Sequence, residues 1–154
     1  MSADNLAAGY VLHDDYPSLD DYLHLRAASG LKPVNSAQGA AVIKGSWYGC
    51  YVTTADDPSK PVAMGRIIGD GGWYFHIADM AVLPSYQRRG LGDAVLKRLL
   101  AKIKMDAAPG EAYVTLMADA PGRRLYEKNG FADAMPQEMG MSLIMNISGS
   151  EGGA

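Results

Sequence analysis

Apolar and polar residues change period along the chain, and each change marks an element. "YVLH" from Tyr10 reads as a short strand, and Ser18-Leu19-Asp20-Asp21 has the spacing of a capping box. A helix is expected from there to about Ser29, stopped by Gly30. Leu19, Tyr22, Leu23 and Ala27 share one side of it, with Arg26 in the middle, either snorkelling to solvent or pointing into a pocket. After "LKPVNSAQ" a second, short helix runs through about Lys44. Three strand patterns follow, "WYGCYVTT", "PVAMGRIIGD" and "WYFHIADMAV", separated by "ADDPSK" and by Gly71-Gly72. Such turn-rich connections predict an antiparallel meander.

The period lengthens after Pro84. From Leu91 onward Leu91, Val95, Leu96, Leu99 and Ile103 fall on one side and Asp93, Lys97 and Lys104 on the other, as an amphipathic helix requires. "AYVTLMA" follows as a compact strand. Strand, helix and strand on short connections make a right-handed crossover with the two strands parallel. A last helix is expected from about Pro121 to Asn129-Gly130, and "PQEMGMSLIMN" predicts final strand material with a turn near Gly140. The fold class is a mixed α/β sheet in which an antiparallel meander leads into a β-α-β crossover. The 154 residues suit one domain, with an ordered core from about 8 to 146 and loose, small-residue ends, the tail being 147–154.

Composition narrows the function. A net charge of −3 and a pI near 5.5 argue against a nucleic-acid footprint. The lone Cys50 excludes a disulfide framework and a multi-cysteine metal site, and its strand setting fits core filler better than nucleophile. No metal is expected. The opening residues lack a signal-peptide pattern and no run approaches membrane-spanning length, so a cytoplasmic protein without membrane partners is expected.

The chemistry concentrates at the junction "MAVLPSYQRRGLGDAV", at the carboxyl end of a parallel strand, where open α/β sheets bind ligands. A helix start presents unpartnered amides and partial positive charge. Gly90 and Gly92 let a ligand approach the backbone, and Arg88 and Arg89 add charge. The site suits a phosphate or pyrophosphate, although a softened loop with solvated arginines would share the pattern. Neither the dinucleotide fingerprint nor the P-loop is present, and Gly69, Gly71 and Gly72 fit a hairpin turn.

Q-x-x-G-x-G opening a central helix, with "LYEKNGF" some thirty residues later, resembles the GNAT superfamily of acyl-CoA-dependent N-acetyltransferases. The likeness runs from about Tyr10 to about Asn146, and is most specific at Met80–Gly92 and Leu125–Phe131. It implies acetyl-CoA as acyl donor, its pyrophosphate on the loop Gln87, Arg88, Arg89, Gly90, Leu91 and Gly92. It also implies a bulged strand splayed from its parallel neighbour, where the backbone of Met80, Ala81 and Val82 receives the pantetheine arm.

Acetyl transfer from a thioester to an amine needs an unprotonated amine, a stabilised oxyanion and a proton for the departing thiolate. By resemblance Tyr126 is the acid. His76 stands where several relatives place a base, and is otherwise a partly buried strand histidine. Asp79 is a second candidate, as base or for amine recognition; regular alternation puts it on the opposite face from His76 unless a bulge intervenes. Many relatives have an asparagine seven residues before the helix tyrosine. Here Asp119 stands there; it can accept but not donate a hydrogen bond, and helix capping competes with a coenzyme role. Arg123, nearby, is a further coenzyme candidate. Tyr22, Arg26, Trp47 and Glu138 are candidates for an acceptor pocket, with Asp79 attracting a cationic amine that carries an apolar or aromatic body. The expected partner is a small-molecule amine, with a homodimer left open. A catalytically silent acyl-CoA sensor of the same fold is the alternative.

Overall fold

Capping residues decide where the helices begin. In the computed structural model, which describes residues 6–149, β1 (Tyr10–His13) leads to α1 (Leu19–Ala28). Ser18 Oγ accepts from the Asp21 amide at 3.2 Å and donates to the Asp21 carboxylate at 2.9 Å. Gly30, at φ +93°, turns the chain out of the helix. α2 (Ser36–Gly45) starts in a reciprocal cap: Asn35 Oδ1 accepts from the Gln38 amide at 2.8 Å, and Gln38 Oε1 from the Asn35 amide at 3.0 Å.

β2 (Tyr48–Thr54), β3 (Pro61–Gly69) and β4 (Tyr74–Val82) form the meander. A single 3-10 turn at Pro84–Tyr86 precedes α3 (Leu91–Asp106); β5 (Tyr113–Thr115), a second turn at Ala120–Gly122 and α4 (Arg123–Lys128) follow. The sheet runs β1-β2-β3-β4-β5, antiparallel through β4, with β5 parallel to β4. α3 covers one face with Leu91, Val95, Leu96, Leu99 and Ile103, the side that the periodicity selects. A Cβ on Gly65 would lie 2.7 Å from Val95 Cγ1, so only glycine admits α3 this close. Its neighbour Arg66 points to the other face, toward α1 and α2. Cys50 is fully buried in β2, its thiol pushed up to about 12 by desolvation, and so acts as inert packing.

The expected final strand does not form. Residues 132–149 contain neither helix nor strand, and the turn falls at 135–137 rather than near Gly140. A strand needs a hydrogen-bonding neighbour, and among the described residues no strand pairs with 141–147, so alternation alone does not make one there. Residues 147–149 of the expected tail are described and exposed; the remainder of both expected loose ends lies largely outside the described residues.

Candidate functional site

β4 and β5 stay together only briefly. Their register runs Tyr74 to Tyr113, Phe75 to Val114 and His76 to Thr115, and there it ends. β4 continues to Val82 with pairing on its β3 side alone. The register against β3 slips between Met64 and Arg66, and Asp79 takes the left-handed φ of +55°. That bulge bends β4 away from β5. Among the described residues no strand pairs with the other edge of Met80, Ala81 and Val82, which leaves a V-shaped opening.

At the end of β4 the loop is built to present α3. The Gln87 side chain donates from Nε2 to the Val82 carbonyl at 3.1 Å, folding the loop back on the strand that precedes it. Arg88 and Gly90 both take left-handed backbone, at φ +63° and +78°. The Ala94 amide bonds to the Gly90 carbonyl at 3.0 Å, so the earlier amides of α3 emerge from its end without a helical acceptor. A Cβ on Gly90 would meet no atom within 4 Å: the space in front of these amides is open. Open space, outward amides and a helix dipole fit an anionic phosphate group. Arg88 is exposed beside it, while Arg89 donates to the Tyr10 hydroxyl at 2.8 Å and lies over the Tyr86 ring. Leu91 is buried and anchors the helix start in the core.

α4 is fastened against this helix end. Asn129 donates from Nδ2 to Asp93 Oδ1 at 2.9 Å, and Lys97 Nζ donates to both Asp93 Oδ2 at 2.6 Å and Asn129 Oδ1 at 3.1 Å. A Cβ on Gly92 would lie 3.4 Å from Leu125 Cδ2, so the two helices meet there in close contact. α4 thereby carries Tyr126, whose ring packs edge-on to Phe131 at 6.1 Å. Burial raises the Tyr126 pKa and the nearby Asp119 charge raises it further, so the phenol keeps its proton at neutral pH. A groove of about 580 Å³, lined by Thr115, Met117, Tyr126, Phe131 and Glu138 among others, runs between β5 and the chain at 131–140.

His76 lies where the strands part. Its Nδ1 is 2.9 Å from Thr115 Oγ1, across the last paired position. Burial lowers its pKa and the Arg66 charge lowers it further, so the imidazole is neutral at pH 7. Asp79, in contrast, is fully engaged: Oδ1 accepts from Arg26 Nη1 at 2.5 Å, and Oδ2 from Arg66 Nε at 2.6 Å and the Tyr22 hydroxyl at 2.5 Å. The bulge turns Asp79 to the face of Arg66, which His76 also shares through the pairing of Ile68 with His76.

These features recur in known proteins. A family model for the acetyltransferase (GNAT) domain matches residues 46–133, more than half of the sequence. The chain belongs to the GNAT acetyltransferase family. A Staphylococcus aureus protein of unknown function, described as a probable acetyltransferase, superposes with a TM-score of 0.81 at 32% identity, over 88% of this chain and 99% of its own. A GNAT-family acetyltransferase from Streptococcus pneumoniae gives 0.68 at 26% identity, over 90% and 98% of the respective chains. Serotonin N-acetyltransferase 2, chloroplastic, of Oryza sativa subsp. japonica is 34% identical over 80 residues, 52% of this chain and 38% of the rice protein.

Within this GNAT-family chain the structure brings some of the singled-out residues together and separates others. Met80, Ala81, Val82 and the Gln87–Gly92 loop border one opening, with His76 at its apex. Tyr126 reaches the same region through the groove that Thr115 also lines. Asp119 caps the turn before α4, its Oδ1 accepting from the Gly122 amide at 2.9 Å. Arg123 pairs with Asp133 at 2.7 Å. Tyr22, Arg26 and Asp79 form one cluster, but Trp47 packs on Phe75 and Glu138 accepts from the Tyr113 hydroxyl at 2.6 Å. The five therefore do not assemble an aromatic, anionic acceptor pocket. Arg66 and Thr115 were not singled out by pattern. An arginine inside the apolar run "PVAMGRIIG" was the available signal, since a charge there demands a partner.

Proposed function

We propose that this GNAT protein is an N-acetyltransferase moving the acetyl group of acetyl-CoA directly to the primary amine of a small molecule. The observation that supports the proposal is the opening between β4 and β5, with His76 bonded to Thr115 where the strands part, Thr115 and Tyr126 lining one groove, and the amino end of α3 open after β4. Acetyl-CoA supplies an activated acyl group on a thiol leaving group. The amides of Gly90–Gly92 hold its pyrophosphate, Arg88 adds charge from the rim, and the free edge of Met80–Val82 pairs with its amide-bearing arm. These residues position; they do not react.

His76 accepts the proton of the incoming ammonium, directly or through water, on Nε2 while Nδ1 is held by Thr115. Tyr126 holds the proton that the departing thiolate needs. Asp79 is assigned to neither task, because both of its oxygens already serve Arg26, Arg66 and Tyr22. The rice relative is named for serotonin, which makes arylalkylamines the first acceptors to try. The test is release of free CoA from acetyl-CoA with arylalkylamines, polyamines, amino acids and aminoglycosides, alongside calorimetric binding of acetyl-CoA. Amine-dependent CoA release supports the proposal. Tight acetyl-CoA binding with no turnover on any amine would instead favour a sensor, and absence of binding would overturn both.

A further inference from the structure

The polar cluster on the α1 and α2 face of the sheet is not charge-balanced. Arg26 and Arg66 share one carboxylate, Asp79, and the three side chains are 14%, 14% and 8% exposed. Two guanidiniums and one carboxylate leave a net charge of +1. Tyr16 and Tyr22, which line the same small cavity, do not offset it, because burial raises the pKa of both phenols and keeps them protonated. Among the described residues no second carboxylate forms an ion pair with either arginine. Charges held this far from water are paired as a rule, so a negative partner is missing.

The donor left for that partner can be named. Arg26 engages all three of its nitrogens, Nη1 with Asp79, and Nε and Nη2 with the Lys32 carbonyl. Arg66 engages two, Nε with Asp79 at 2.6 Å and Nη1 with Ser46 Oγ at 3.0 Å. Its Nη2 has no partner among the described residues, and since no buried side-chain nitrogen there lacks one, Nη2 is open to solvent.

Arg66 is also a near neighbour of the proposed base. It pairs with Ala78, and Ile68 pairs with His76, so Arg66 and His76 are diagonal neighbours on one face, about 7–8 Å apart. Ala78, between them, contributes only a methyl group and is half-buried. Beyond this point the helices no longer cover the sheet: Ile68 and Tyr74, on the same face by alternation, are 42% and 62% exposed. The face therefore carries a cation at its covered end, a proton acceptor next to it, and open sheet beyond. A plain cationic amine is repelled by this cluster, whereas an amine that also carries an anionic group finds a partner for each end.

Resting on the reading of His76 and acetyl transfer given above, we propose that the acceptor is an anionic amine: a primary amine that also bears a carboxylate or a phosphate, with Arg66 Nη2 donating to the anionic oxygens while the amine stands at His76. Asp79 then orients Arg66 instead of attracting the amine, and the missing counter-charge arrives with the substrate.

The test compares CoA release within pairs that differ by the anionic group: tryptophan with tryptamine, lysine with cadaverine, and phosphoethanolamine with ethanolamine, at about pH 8.5, where His76 is neutral whatever residue stands at 66. Arg66→Gln should lower the ratio of kcat/KM, anionic over plain, at least about tenfold for the pair turned over fastest, chiefly through the KM of the anionic member, and Arg66→Lys should restore part of it. The amine's own pKa cancels in that comparison, and the phosphate pair separates phosphate from carboxylate as the source of the charge. A ratio that Arg66→Gln leaves unchanged overturns the proposal while the transferase reading stands. Calorimetry on the parent protein with CoA present depends on no variant: indole-3-propionate, which has the carboxylate and lacks the amine, should bind at least about tenfold more tightly than its uncharged amide. Equal affinity for the two overturns the proposal whatever the variants show. A clear preference for the anion with no amine turned over would instead remove the transferase reading and leave the anion site at Arg66 in place.

Discussion

Asp79→Asn isolates one charge in the cluster behind the site. The side chain keeps its shape, and asparagine tolerates the left-handed φ of +55° better than most residues. What is lost is the shared counter-ion of two guanidiniums, each with a side chain only 14% exposed. The asparagine oxygen can accept from one of the three donors, while its NH₂ turns donors toward another. Removing one member of a buried ion pair costs ~3–5 kcal/mol. Arg26 keeps the Lys32 carbonyl and Arg66 keeps Ser46 Oγ, which places the loss at the low end, about 3 kcal/mol. For a chain of this size that is a fall of roughly 6–12 °C in Tm. Urea unfolding followed by circular dichroism reads it directly, with m unchanged. Adding Arg66→Met to Asp79→Asn removes one of the stranded charges and should recover part of the loss. A loss below about 1 kcal/mol, or a double variant no more stable than the single, would refute the view that Asp79 is a buried counter-ion.

Tyr126→Phe keeps the contact with Phe131 and removes the proton, so kcat should fall by about 10²- to 10⁴-fold with acetyl-CoA affinity near the parent's; turnover within about threefold, with chemistry rate-limiting, contradicts the assignment. As the proposed base His76 works in its neutral form, and burial and Arg66 hold its pKa below the ordinary 6.5, so the acid limb of the pH–rate profile should have its midpoint below pH 6.5. Arg66→Gln removes a charge that lowers that pKa and should move the limb upward, whereas a limb unmoved by Arg66→Gln would dissociate it from His76. Gly90→Asn keeps the left-handed turn and pushes a side chain into the open space before α3; calorimetry should show acetyl-CoA binding weakened at least tenfold with a near-parental melting curve. Equal affinity would remove the pyrophosphate from this loop.

The elements up to Asn129 were legible because each announces itself locally. Ser18, Asn35 and Gly30 mark ends through their own hydrogen bonds or backbone freedom, and the spacing from Leu91 to Ile103 selects the buried side of α3 without reference to anything distant. The turn that opens α3 was legible for the same reason, since glycines at a helix start are a local signal. The Asp79 cluster was not. Its partners come from α1 and β3, 53 and 13 residues away, and no periodicity reports on pairing at that range. The bulge that turns Asp79 toward them is a property of two strands in register and leaves no mark in one of them. The last strand failed for a related reason: alternation in 141–147 states what the segment could bury, and says nothing of whether its own chain supplies the neighbour.

The sheet is unevenly stitched. β2 and β3 are sewn along nearly their whole length, but β5 hangs from β4 by the stretch Tyr74–His76 alone, and the α4 that follows it is tied to α3 by the polar knot of Asp93, Lys97 and Asn129. Amide exchange should therefore grade across the molecule, slow in β2 and β3 and fast in β5, because short ladders open without the whole chain unfolding. Whatever lies in the V between β4 and β5 supplies the missing seam. At a hundred times its dissociation constant it would add about 2.7 kcal/mol to the folded state, and the amides of Tyr113–Thr115 would be the first to slow. Donor binding would then close the sheet, and each departing CoA would unpick it.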